Sequence, residues 1–201
     1  MNSGLDNKML LNKFKNIPII LGSQSPRRKE LLAKLGFDFE VVVKETDENF
    51  DAQRSPREIV EYIAVNKVKA FDSVSFSDKL VITADTVVVC GTDILGKPRD
   101  AAEAFEMLNR LQGGSHKVLT AVALRYQGEL RAFVEETAVT FYPLSAEEIH
   151  YYIDRHRPFD KAGSYGIQEW IGFIGIRSIT GSYENVVGLP TARLYQEMKR
   201  I

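Results

Sequence analysis

A chain of 201 residues, 44% hydrophobic and 26% charged, has the ordinary composition of one well-filled globular domain. Twenty-six Lys and Arg against 27 Asp and Glu give a net charge of −1, which argues against nonspecific binding to nucleic acid or to an acidic membrane. The single cysteine, Cys90, excludes an internal disulfide and a Cys-rich zinc site. Met1 to Asn16 carries no apolar stretch long enough for a signal peptide, and no run of about 18 apolar residues could span a bilayer, so a soluble, cytoplasmic protein is expected.

Ile17, Ile19, Ile20 and Leu21 form a short apolar run that Gly22 ends, and Leu31, Leu32 and Leu35 then recur at helical spacing. Ser25 fits the N-cap and Pro26 the first helical position. A helix start beside a strand end offers backbone N–H groups and a positive dipole end to an anion, and Ser23 and Ser25 add hydroxyls. The first turn carries Arg27, Arg28 and Lys29, where Asp or Glu is the usual choice. This is either a capped helix with a solvated basic surface or a loop whose arginines clamp a polyphosphate.

Phe37 to Val43 reads as a second strand running into the acidic segment Glu45-Thr46-Asp47-Glu48, a place where α/β proteins put ligand-binding groups. Ser55-Pro56-Arg57-Glu58 is a capping box that opens a helix to about Phe71. Lys67 lies four residues after Ile63, on or beside the apolar stripe, where it either snorkels to the rim or serves a site. Leu80 to Cys90 is the strongest strand, apolar on both faces except at Asp85. A buried unpaired carboxylate costs on the order of several kcal/mol, so Asp85 is expected at a break or strand end, facing a cation, a metal or hydrogen-bond donors.

Gly91 to Pro98 imitates Gly-x-x-x-x-Gly-Lys-Ser/Thr up to its last residue, but Pro98 has no hydroxyl and no helix follows directly. A Walker P-loop is rejected. Lys97 remains in a defined turn, as a surface charge or a phosphate contact. Asp100 with Glu103 reads as a second capping box, opening a helix to about Gln112. His116 to Tyr126 and Glu129 to Tyr142 read as a hairpin, and Ser145 with Glu148 as a third box starting a helix to about Arg155. In the long polar loop from Arg157 to Gln168, residues Asp160, Lys161 and Gln168 either hydrogen-bond a base or phosphate or face water. Ile171 to Ile179 reads as a further strand, and Leu189-Pro190 opens a terminal helix. His116, His150 and His156 show no metal-ligand spacing and read as surface residues. No repeat or linker divides the chain, which leaves an N-terminal extension over residues 1–16 and a single domain over 17–201.

A cationic helix start, two lysines and carboxylates after two strand ends are the inventory for a metal-dependent reaction on a nucleoside triphosphate. Arg27, Arg28, Lys67 and Lys97 would neutralise phosphates, while Glu48 and Asp85 hold a hard divalent cation through oxygen. Water is then the nucleophile, since no Ser, Cys and His grouping argues for a covalent route.

Five motifs carry a resemblance: Ser-Gln-Ser-Pro-Arg-Arg at Ser23 to Arg28, Ala-Asp-Thr-Val-Val at Ala84 to Val88, Gly-Lys-Pro-Arg-Asp at Gly96 to Asp100, Asp-Lys-Ala-Gly-x-Tyr-Gly-Ile-Gln at Asp160 to Gln168, and Gly-Ser-Tyr-x-Asn-Val-Val-Gly-Leu-Pro at Gly181 to Pro190. In this order they resemble the Maf family. The resemblance implies an α/β, inosine-triphosphatase-like fold, with a central mixed twisted sheet flanked by helices and two lobes around a cleft. It implies a nucleoside triphosphate pyrophosphatase that cuts between the α and β phosphates with Mg2+ or Mn2+. Asp85 corresponds to the proton acceptor, Ser23 through Arg28 to the substrate loop, Lys67 and Lys97 to the phosphate lysines, and Glu48 to the acidic residue after the second strand, with Glu45 and Asp47 as close neighbours.

Arg27, Thr86 and Gln168 match positions tied to the branch acting on dTTP and UTP rather than 7-methyl-GTP, and modified pyrimidine nucleotides are equally compatible substrates. Whether Asp85 acts as base or chiefly as metal ligand stays open, as does the oligomeric state, a homodimer included. The competing reading is a nucleotide-binding regulator of cell division and septum formation without turnover, which could dispense with Asp85.

Overall fold

The computed structural model describes residues 10–47, 49, 51 and 53–201. Glu48, and with it the metal-ligand role expected there, lies outside the described residues. The chain runs α1 (Leu10–Phe14), β1 (Ile19–Leu21), α2 (Pro26–Lys34), β2 (Glu40–Val41), α3 (Pro56–Lys69) and β3 (Leu80–Cys90). It continues through β4 (Asp93–Leu95), α4 (Ala101–Leu111), β5 (Ser115–Tyr126), β6 (Glu129–Phe141) and α5 (Ala146–His156). It ends with α6 (Trp170–Gly175), β7 (Ile176–Thr180), α7 (Tyr183–Val187) and α8 (Thr191–Met198). Among the described residues, no helix is long and apolar enough to cross a membrane.

Two compact units are built from this chain. The first comprises the residues up to Asp85 with Ala121–Val134 and Gly188–Ile201, and the second comprises Thr86–Thr120 and Glu135–Val187. Strands β3, β5 and β6 each contribute residues to both.

In the first unit the strand order is β2-β1-β3-β5-β6. β1 pairs in parallel with β2 and with the first half of β3, placing Ile20 opposite Glu40 and Val81. Parallel neighbours need crossover connections, and α2 and α3 lie in them. Leu80 to Ala84 are fully buried, as a strand covered on both faces requires. Helix α3 starts at the expected box: Ser55 accepts from the Glu58 backbone N–H, and the Glu58 carboxylate accepts from Ser55 N. Burial of Ile59, Val60, Ala64 and Val68 holds the helix in place, and the Thr83 hydroxyl donates to the Ala64 carbonyl at 2.8 Å. Gly22 lets the backbone pass close to β3, because a Cβ there would meet Thr83 Cγ2 at 2.7 Å.

In the second unit the order is β4-β3-β5-β6-β7, with β4 antiparallel to β3 and β7 antiparallel to β6. Val88, Leu108, Val118, Val139, Phe141 and Tyr152 are among the residues that pack α4 and α5 onto this sheet.

Several expectations are corrected. Asp85 stands at neither a break nor a strand end: β3 is continuous from Leu80 to Cys90, and its carboxylate is accommodated by partial exposure and an ion pair instead. The second strand shrinks from Phe37–Val43 to Glu40–Val41, because Phe37 is buried edge-to-face on Phe14 of α1 rather than laid in the ladder. The stretch Ile171–Ile179 is a six-residue helix followed by β7, an ambiguity that short apolar runs carry by nature. Strand β4 is an addition to the expected elements: Gly91, at φ +63, opens a two-residue turn that pairs Cys90 with Asp93. At α4 only half of a box forms: Asp100 accepts from Glu103 N, while the Glu103 carboxylate takes the Arg99 N–H groups. His116 is not a surface residue but is 3% exposed, with Nε2 2.7 Å from the Tyr165 hydroxyl.

Candidate active site

The loop after β1 and the first turn of α2 form a small hydrogen-bonded frame. Ser25 caps α2 by accepting from Arg28 N, and Ser23 Oγ accepts from Ser25 N at 3.2 Å and from Arg28 Nη1 at 3.4 Å. With two acceptor positions taken, the Ser23 hydroxyl has its hydrogen left to donate, which suits an anion at the helix start.

Arg28 does more than add charge. Its Nε donates to the Gly188 carbonyl and its Nη1 to the Ala84 carbonyl, each at 2.8 Å, so one guanidinium ties the loop, the residue before Asp85 and the lead-in to α8. Arg28→Lys is expected to cost about 2 kcal/mol, because one ammonium cannot serve these separated acceptors together. Urea unfolding would check this, and an unchanged midpoint would mean that the guanidinium anchors nothing.

Asp85 and Lys67 are brought together. Lys67 Nζ donates to Asp85 Oδ1 at 2.7 Å, with the two side chains 18% and 16% exposed. The i, i+4 relation of Lys67 to Ile63 placed its root beside the buried stripe, and the partner it required is this carboxylate. Oδ2 of Asp85 remains as an oxygen donor for a metal or as a proton acceptor.

The donor set fits a hard cation only in a particular way. Among the described residues no group of three or more His, Cys, Asp or Glu could hold a metal ion. One carboxylate oxygen is therefore compatible with a cation that takes its other ligands from substrate phosphates and water, the usual behaviour of Mg2+. Glu45 and Asp47 are exposed, and Asp47 accepts from Asn49 N.

Three further candidate residues, Thr86, Lys97 and Gln168, belong to the second unit. Thr86 Oγ1 lies 3.0 Å from Thr120 Oγ1. Lys97 is exposed just past β4, and beside it the Gly163 N–H donates to the Gly96 carbonyl at 3.0 Å. Gln168 is half-buried, and its Oε1 is buried without a hydrogen-bond partner. Lys161, expected to meet either a ligand or water, is withdrawn from water. It is 8% exposed and ion-paired to Asp160 at 2.7 Å and Glu169 at 3.1 Å. Glu169 also accepts from the Tyr152 hydroxyl, which in turn accepts from Gly166 N, so this buried network shapes the loop that carries Gln168. Burial first, and then the Glu169 hydrogen bond, push the Tyr152 phenol upward, keeping it a neutral donor.

Residues 18–201 match the family described as Maf-like protein. The chain belongs to the Maf family. Maf relatives named dTTP/UTP pyrophosphatase include one from Flavobacterium psychrophilum, 49% identical over 187 residues, covering 93% of this chain and 96% of that protein. One from Phocaeicola vulgatus is 48% identical, covering 96% and 100%. Among solved structures, the Ham1 protein of Staphylococcus aureus matches 90% of this chain and 99% of its own, with a TM-score of 0.51 at 14% identity. That likeness places the Maf chain in the same α/β fold, a mixed sheet flanked by helices. The motifs that carry the Maf resemblance therefore include the Ser23–Arg28 frame and the Asp85 strand described above.

Proposed function

We propose that the chain hydrolyses dTTP and UTP, and modified pyrimidine nucleotides of like structure, to the monophosphate and pyrophosphate. One observation carries the reading: a carboxylate set in the middle of an apolar strand, paired with a lysine, one residue beyond the carbonyl that Arg28 holds. The relatives named for this activity support it over almost their full length.

Water attacks the α phosphorus and Asp85 Oδ2 takes its proton, while Lys67 holds Oδ1 and fixes the carboxylate's orientation. Charge gathering on the departing pyrophosphate is met by the Ser23 hydroxyl, the backbone N–H groups at the start of α2, Arg27 and Lys97. Asp85, with Glu48, would hold the divalent cation, Mg2+ or Mn2+, which when bound neutralises phosphate charge as a Lewis acid. Thr86 and Gln168 meet the base. A net charge of −1 favours a small anionic substrate bound at a local cationic cluster over a nucleic-acid partner.

The test is pyrophosphate release from a panel of nucleoside triphosphates with Mg2+ or Mn2+. Turnover of dTTP and UTP above 7-methyl-GTP is expected. Binding of nucleotides without release would overturn the enzyme reading, and preference for 7-methyl-GTP would overturn the pyrimidine assignment.

A further inference from the structure

Gln168 is carried on a short turn that the core of the second unit holds at both ends. The Glu169 N–H donates to the Gly166 carbonyl at 2.9 Å, closing a four-residue turn in which Gln168 is the third residue. The Gly172 N–H then donates to the Glu169 carbonyl at 2.8 Å as α6 begins. Oε1 of Gln168 is buried without a hydrogen-bond partner, so that oxygen ties the carboxamide to nothing in the chain.

A single phenol holds the turn. The Tyr152 hydroxyl accepts from the Gly166 N–H at 3.0 Å and donates to Glu169 Oε2. The directions are forced, since an amide N–H can only donate and the phenol's one hydrogen is left for the carboxylate. Glu169 is held on its other side as well, with Oε1 3.1 Å from Lys161 Nζ. Tyr152 is fully buried on α5, its ring stacked on His156, so the first and last residues of the turn are anchored to a helix packed in the core. Gly166 leaves the room this needs: a Cβ there would meet Gln168 Nε2 at 2.9 Å and the Glu169 carboxyl carbon at 2.8 Å. Core packing alone asks for none of this, because a phenylalanine would fill the same space without a polar tip.

We infer that Tyr152 and Glu169 are positioning residues that hold the Gln168 carboxamide in register with a uracil or thymine base. A carboxamide offers one acceptor and one donor group, matching the N–H and C=O of an imide edge, and the match fails once the groups move out of hydrogen-bond reach. The inference rests on the reading above in which Gln168 meets the base.

The experiment measures kcat/KM for UTP and for ATP in the wild type, Tyr152→Phe, Gln168→Ala and the double variant. Adenine carries its pairing edge one ring further from the ribose, so ATP draws less on a carboxamide set for uracil. A ratio taken within one preparation does not depend on how much of it is folded. Tyr152→Phe removes one oxygen and releases both ends of the turn, and the UTP-to-ATP ratio is expected to fall about tenfold, roughly the worth of one hydrogen bond. In the Gln168→Ala background the same change is expected to leave the ratio where Gln168→Ala put it, which a merely structural phenol would not do. Glu169→Gln keeps an oxygen for the phenol without its charge, and a fall of about threefold is expected; it is the second probe should the phenylalanine variant not fold. A Tyr152→Phe effect equal in both backgrounds, an unchanged ratio in Tyr152→Phe, or an unchanged ratio in Glu169→Gln where that is the probe, would overturn the positioning role while leaving the pyrophosphatase reading intact. An unchanged ratio in Gln168→Ala would remove Gln168 from the base, and this inference with it. Absence of UTP turnover in the wild type would overturn the enzyme reading itself.

Discussion

Replacing Asp85 by asparagine is expected to lower kcat for dTTP and UTP about a thousandfold, within the range that a positioned general base contributes. The change is nearly isosteric and leaves an oxygen in place of Oδ1 for Lys67 Nζ, now at 2.7 Å. What is lost is the negative charge and the proton-accepting oxygen. Since both side chains retain some exposure, water offsets part of the lost ion pair, and unfolding stability is expected to fall by only about 1 kcal/mol. Pyrophosphate release and urea unfolding on the same protein separate the two effects. A kcat within tenfold of the wild type would remove Asp85 from the chemistry. Titrating the variant with metal then divides the remaining roles: activity regained at high Mg2+ or Mn2+ marks a carboxylate that chiefly binds metal, and none regained marks a base.

Stability should decline as the solution is acidified below about pH 6.5, and His116 is the reason. Burial pushes this imidazole down to about 4, in a site lined by Phe141 and Tyr165 where Nδ1 has no hydrogen-bond partner. The folded protein refuses a proton that the unfolded chain takes up once the pH drops below its ordinary value near 6.5. The stabilisation is complete above that value and is lost as the pH falls through the folded value. Linkage makes the loss about 2 kcal/mol at pH 5 and about 3 kcal/mol at pH 4. Carboxylates also titrate at the lower end, so the quantity to compare is urea stability at pH 7 and pH 5 in the wild type and in His116→Phe. The variant should lose about 2 kcal/mol less between the two pH values; parallel losses would clear His116.

The parts of this site that could be read from the chain are those with a local signature. Ser25-Pro26 announces a helix start at short range, and a lone aspartate inside an apolar strand demands a partner wherever it lies. Lys67 could be placed beside the core from its spacing to Ile63, although nothing in the sequence said that Asp85, 18 residues on, would be its partner. The links from Thr86 to Thr120 and from Thr120 to Asn185 join residues 34 and 65 positions apart through single hydrogen bonds, and such pairings leave no periodic trace. Lys161 misled for the opposite reason: a charged residue in a polar loop looks solvated until two carboxylates close over it. His116 was legible in principle, since alternation counted back from buried Val118 turns its side chain inward. Helix α6 was not, because six apolar residues cannot distinguish a helical period from a strand.

The way the chain is divided between the two units limits how it can be engineered. Neither unit is a continuous piece of chain, and the changes from one to the other fall at 85/86, 120/121, 134/135 and 187/188. The first three of these lie inside β3, β5 and β6, where there is no linker to cut or splice. Asp85 closes one unit and Thr86 opens the next, so the residue assigned to proton transfer and the residue assigned to base choice are separated by a single peptide bond. Transplanting selectivity from a relative as a block would require joints in the middle of three strands. Point substitution around Thr86 is the workable route to a changed nucleotide preference.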